Sequence, residues 1–210
     1  MRRMGSRLVA VLLAAVSLVG LSACGQRVDM EALPREMSWK VYQGQPYPVS
    51  PKDGPLHAAS TVPWGFSPTP QGAVLAAVGG HVRLALASDK EWPEVTRVVT
   101  APGRGREEFI AFRSLQSVTG PLPSGKARQF LGFKVRNWVW DKKNKHPKSC
   151  AVVVAQRQGS TLLSYPVAMV WLNGDWRILL PTTKDSIDAT RLKNLDGFVE
   201  LPQPSEKIKG

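Results

Sequence analysis

Between Trp171 and Trp176 stands Asn173-Gly174, the dipeptide that most restricts how this chain can fold. A two-residue type I′ turn needs positive φ at both central positions, which asparagine tolerates and glycine adopts freely. The apolar residues on either side are therefore expected to fold back on each other as antiparallel strands. Upstream, residues 150–157 and 161–172 are apolar and β-branched, parted by Gln158-Gly159-Ser160, and residues 128–140 alternate with the period of a strand. In that last segment Leu131, Phe133, Val135 and Val139 fall on one face, with Phe130, Lys134, Arg136, Trp138 and Trp140 on the other. Residues 175–180 complete four consecutive antiparallel strands.

The first half of the chain reads as helices. Thr69-Pro70-Gln71 is a helix start, with threonine at the N-cap and proline at the first helical position, where its missing N–H costs nothing. Val74, Val78, Val82 and Leu86 follow at four-residue intervals. Gly79-Gly80 lies inside this stretch, and each glycine costs about 1 kcal/mol relative to alanine, so either a neighbour packs very close there or the helix breaks. Ser88-Asp89 precedes a second helical stretch with Trp92, Val95, Val98 and Val99, stopped by Ala101-Pro102-Gly103; residues 106–114 form a third. A last amphipathic piece holds Ile187, Leu192 and Leu195 and ends at Gly197. Helices followed by a four-stranded meander give an expected fold class of α+β, the N-terminal helices packed on one face of a curved antiparallel sheet.

The amino terminus is an address. Arg2, Arg3 and Arg7 precede an apolar run, residues 8–20, that is short for a membrane span of about 20 residues. It ends in Leu21-Ser22-Ala23-Cys24, which looks like the lipobox of bacterial lipoproteins. Residues 1–23 are thus read as a lipoprotein signal peptide and Cys24 as the lipidation site, leaving an extracytoplasmic protein anchored to the cell membrane. Residues 24–62 balance four basic against four acidic residues and carry Pro34, Pro46, Pro48, Pro51 and Pro55, the composition of a spacer. Trp39, Val41, Tyr42 and Tyr47 are too apolar for a pure linker, so part of the segment is expected to dock as an extended strap. The domain proper is placed at residues 63–201 and a polar tail at 202–210.

Two stretches carry a family resemblance. One is Gly65-Phe66-Ser67-Pro68-Thr69-Pro70-Gln71-Gly72-Ala73-Val74-Leu75-Ala76-Ala77; the other pairs residues 171–180 with Leu195-Asp196-Gly197-Phe198-Val199. Together they resemble an actinobacterial domain family of uncharacterised function, found on secreted or anchored proteins and often near conjugative-element genes. The order and size of the elements also resemble the NTF2-like cone used by periplasmic domains of type IV secretion proteins. The resemblance spans about residues 37–201 and implies an envelope role, as an accessory of conjugative transfer; it supplies no catalytic residues.

The chain offers little for chemistry. After processing and lipidation of Cys24, Cys150 is the remaining possible thiol, at the head of an apolar strand where a buried structural cysteine is expected. His57, His81 and His146 show no metal-ligand spacing, so neither a metal nor another cofactor is expected. His81 is read either as a hydrogen-bonded structural histidine or as a base facing a cone cavity. Gly103-Arg104-Gly105-Arg106 precedes a helix but lacks the spacing of a phosphate-binding loop.

Charge is more informative. The chain is formally +12, and residues 128–183 hold nine basic residues against Asp141 and Asp175 alone. Arg136, Lys142, Lys143, Lys145 and Lys148 cluster with Trp138 and Trp140, a pattern suited to lipid headgroups, wall phosphates or a nucleic-acid backbone, or to a loop that only keeps the protein soluble. Nucleic acid is the weakest of these for an exported chain. The leading expectation is a non-catalytic, lipid-anchored envelope protein acting through protein or polyanion contacts, with membrane and secretion-apparatus proteins as partners. Its rivals are a small-ligand carrier or enzyme using the cone pocket, and a cell-wall-binding module using the basic hairpin.

Overall fold

In a computed structural model, which describes residues 28–185 and 188–204, the chain forms β1 (Ser38–Tyr42), β2 (Gln45–Val49), α1 (Pro70–Leu86), α2 (Trp92–Val99), α3 (Arg104–Arg113), β3 (Gln129–Asp141), β4 (His146–Gln158), β5 (Thr161–Leu172), β6 (Asp175–Ile178), β7 (Thr190–Arg191) and β8 (Val199–Glu200). β1 and β2 make a two-stranded sheet of their own. The main sheet is antiparallel in the order β6-β5-β4-β3-β8, with β7 pairing on β5. Asn173 and Gly174 adopt φ of 54° and 78° at the β5–β6 turn, and Trp171 pairs with Trp176.

The expected α+β, NTF2-like cone on four strands is overturned. The main sheet has six strands, the N-terminal strap adds a second sheet, and α2 and α3 are only 8 and 10 residues long, so the described chain is mostly β. The physical reasons are local. Pro46 and Pro48 hide the period of β2, yet that strand buries Tyr47 and Val49 in the core. β7 and β8 are two residues each, too short to show any period.

Among the described residues, α1 is the one helix buried along most of its length. Thr69 caps it, its hydroxyl accepting from the Gly72 N–H at 3.1 Å, and residues 70–80 are buried without interruption. A helix apolar on all sides must be surrounded, and this one has β2 on one flank, α2 and β6 on another, and the main sheet beneath. Gly79-Gly80 does not break it. A Cβ on Gly80 would stand 2.7 Å from Val99 Cγ1 and 2.9 Å from Ile178 Cδ1, so close packing by α2 and β6 accounts for that glycine.

Beneath α1 the sheet contributes Phe130, Phe133 and Val135 from β3, Cys150, Val152 and Val154 from β4, and Val167 and Met169 from β5. The strict alternation expected for residues 128–140 fails twice. An irregularity between Phe130 and Gly132 puts both Phe130 and Phe133 inward, and a second between Arg136 and Val139, at Asn137 with φ of 54°, exchanges the faces beyond it. On the opposite face of the sheet, residues 192–198 carry the chain from the β5 edge to the β3 edge. Lys134 fastens that crossing, donating to the Asp196 carbonyl at 3.0 Å with its ammonium 4.0 Å from the Phe198 ring centre.

Candidate functional site

β3 and β4 are each 13 residues long and close in the turn that holds the basic cluster. Asp141 builds this turn. One carboxylate oxygen accepts the backbone N–H groups of Lys143 and Asn144, each at 3.0 Å, and the other accepts the Asn144 side-chain amide at 2.9 Å. These bonds, led by those from Asn144, hold the Asp141 carboxyl below its ordinary range. The acid nearest the lysines is thus occupied by the turn itself. Lys142, Lys143, Lys145 and Lys148 are all exposed, and no ion pair among the described residues includes any of them.

The irregularity at Asn137 sorts the aromatic residues. Trp138 turns inward, its ring 5.6 Å from that of Trp176 and its indole N–H buried without a hydrogen-bond partner among the described residues. Val139 is 42% exposed and Trp140 43% exposed, so the tip presents apolar surface among its ammonium groups. Arg136 is also exposed. Six of the seven contact candidates therefore lie open on or near the tip, and Trp138 packs against the core instead. Cys24 lies outside the described residues, as does Ile187; Leu192 and Leu195 belong to the crossing segment rather than to a helix.

The other sequence candidates are structural. His81 packs against Tyr165 with ring centres 4.8 Å apart and planes tilted by 32°, and burial, aided by the charge of Arg128, pushes its pKa down to about 4, so the imidazole is neutral near pH 7. Burial likewise pushes the Cys150 thiol up to about 12, which leaves it protonated. Arg104 pairs with Glu108, and a Cβ on Gly105 would stand 2.0 Å from the Leu180 carbonyl oxygen, so that glycine serves packing. Among the described residues no group of three or more His, Cys, Asp or Glu could hold a metal ion.

Two buried acids, which the sequence does not mark, pin loops. Asp175 accepts the N–H groups of Gly65, Phe66 and Trp176, each at 2.9 Å, and ties the segment before α1 to the β5–β6 hairpin. Asp53 is held by the backbone and guanidinium of Arg35 and by Ser67; burial opposes its ionised form, and these bonds still keep its pKa below the ordinary carboxylate value.

Together these features define a mostly-β domain with a buried central helix and an exposed basic hairpin. The chain belongs to a domain family of unknown function, DUF8175, whose model matches residues 17–200 and so takes in the β1–β2 hairpin as well as the main sheet. No curated protein and no solved structure matches it. Among the described residues no helix is long and apolar enough to cross a membrane.

Proposed function

We propose that this protein is a non-catalytic cell-envelope component, tethered outside the membrane by lipid on Cys24, that works by contact with anionic surfaces through the β3–β4 tip. The observation that carries this reading is four exposed lysines whose neighbouring acid is spent on the turn, set around exposed Val139 and Trp140. Basic residues at an anionic membrane contribute about 1 kcal/mol each, and a tryptophan at the headgroup level adds an amphipathic anchor. Lipid headgroups and phosphate-bearing wall polymer present the same chemistry to such a tip. Within the same reading the chain is an accessory of conjugative transfer in an actinobacterial envelope, as the family resemblance implies, with its tip held against the surface beside the secretion apparatus.

Cys24→Ser tests the anchor, because a hydroxyl cannot replace the thiolate that accepts lipid. Labelling with a radioactive fatty acid should vanish; labelling that persists contradicts the anchor. The same non-acylated protein, sedimented with vesicles, should bind phosphatidylglycerol and ignore phosphatidylcholine. Equal partition onto both contradicts the proposed role of the tip.

A further inference from the structure

At the far end of the β3–β4 hairpin from the basic tip, a cleft of about 490 Å³ opens between the N-terminal hairpin, the loop leading into β3 and the segment after β8. Its volume falls within the range of about 300–1,000 Å³ typical of small-molecule sites. Its walls combine apolar surface from Trp39 and Val41 of β1 and Leu122 and Pro123 of the loop with polar groups of Ser124, Gln129 and Gln203. Trp39 and Val41 are two apart on a strand and so share a face. The Trp39 indole N–H is already spent on the Pro202 carbonyl at 2.9 Å, which fixes the ring and leaves only its apolar surface for an occupant. Val41 is 49% exposed on this wall, an apolar side chain held open.

The charge in the cleft is one-sided. Arg128 lines it, no described wall residue is acidic, and no ion pair among the described residues includes Arg128. Its backbone is fixed on both sides by Gln45, so the side chain starts from a rigid base. The titratable groups that feel its charge are His81, neutral near pH 7, and Tyr165, whose hydroxyl burial keeps protonated. Neither cancels it. One guanidinium without an acid, in a recess of mixed polar and apolar walls, calls for one anionic group on an apolar body.

We propose that this cleft binds a small amphiphile, its carboxylate or phosphate head on Arg128 and its apolar body along Trp39, Val41 and Leu122. The site is separate from the basic tip and does not depend on it.

The test is titration of the full-length Cys24→Ser protein with dodecanoate, dodecyl phosphate and dodecanol, each below its micelle concentration, followed by tryptophan fluorescence and NMR. Either anionic ligand should bind saturably with one-to-one stoichiometry, and which binds more tightly identifies the headgroup. Dodecanol should bind at least about tenfold more weakly, and Arg128→Gln should remove that difference, because the charge-assisted bonds are what the guanidinium adds. Val41→Glu, at a half-exposed position that tolerates substitution, should abolish binding of both anions. Replacing the four tip lysines should leave the affinity unchanged. Absence of saturable binding, equal affinity for dodecanol, or anion binding indifferent to both Arg128→Gln and Val41→Glu would overturn the proposal.

Discussion

The side-chain amide of Gln45 pairs with both peptide groups of Arg128, its nitrogen donating to the Arg128 carbonyl at 2.7 Å and its oxygen accepting the Arg128 N–H at 2.8 Å. One glutamine thus stands in for a strand partner at the point where β3 begins. The same amide nitrogen also donates to the Pro46 carbonyl at 2.9 Å, and Gln45 is 2% exposed. Through this residue the β1–β2 hairpin is joined to the main sheet and the wall of the cleft is closed.

Gln45→Leu keeps the side chain's size and leaves the N–H and C=O of Arg128 unpaired. A buried group left without its bond costs about 1–3 kcal/mol, and stability in urea should fall by that order. Proteolysis should become faster in residues 38–49 before it does so in β4. Unchanged stability would mean that water replaces the amide at no cost.

Adjacent glycines in α1 should respond in opposite directions. At Gly79 a Cβ would lie 3.6 Å from the Tyr47 ring, an ordinary contact, so Gly79→Ala should gain roughly the 1 kcal/mol of helix propensity. At Gly80 the Cβ would collide with Val99 and Ile178, and overpacking of about 1–3 kcal/mol should outweigh that gain. Melting temperatures of the two variants check this, and a stabilising Gly80→Ala would mean that the α1, α2 and β6 contact is looser than described.

His81 makes stability depend on pH. Its folded pKa of about 4 lies below the ordinary 6.5, chiefly through burial and then through Arg128, so the unfolded chain takes up the proton first. The contribution is fully present above pH 6.5 and is lost as pH falls toward 4, with a span of roughly 3 kcal/mol. His81→Phe keeps a ring against Tyr165 and removes the titration. Its unfolding free energy should be flat between about pH 6.5 and 5, where the wild type declines; a parallel decline in both proteins would assign the effect to another group.

Legibility in the sequence followed the reach of each signal. Thr69-Pro70 and Asn173-Gly174 act through their own backbone geometry, and both the start of α1 and the β5–β6 turn lie where those residues put them. Long strands such as β4 and β5 were legible because twelve or more residues of apolar, β-branched chain outweigh local noise. The faces of β3 were not: a single asparagine at positive φ exchanges the roles of Trp138 and Val139, and nothing in the alternation announces it. β7 and β8 exist through pairing with distant segments of β5 and β3, which is why a four-stranded cone was expected where a six-stranded sheet forms. The basic tip could be read as a run of lysines, whereas the occupation of Asp141 by its own turn could not. The cleft was illegible, since its walls come from three separated parts of the chain.

Binding of the non-acylated Cys24→Ser protein to phosphatidylglycerol vesicles, measured against salt with and without replacement of Lys142, Lys143, Lys145 and Lys148 by glutamine, goes to the centre of the proposed function. Wild-type affinity should fall steeply as salt shortens the screening length to about 8 Å at physiological ionic strength, and the fourfold variant should bind weakly at every salt concentration. Its melting temperature should barely move, because exposed substitutions of this kind usually change stability by about 0.5 kcal/mol or less. Binding that ignores both salt and the four substitutions would contradict a role for the tip in surface contact.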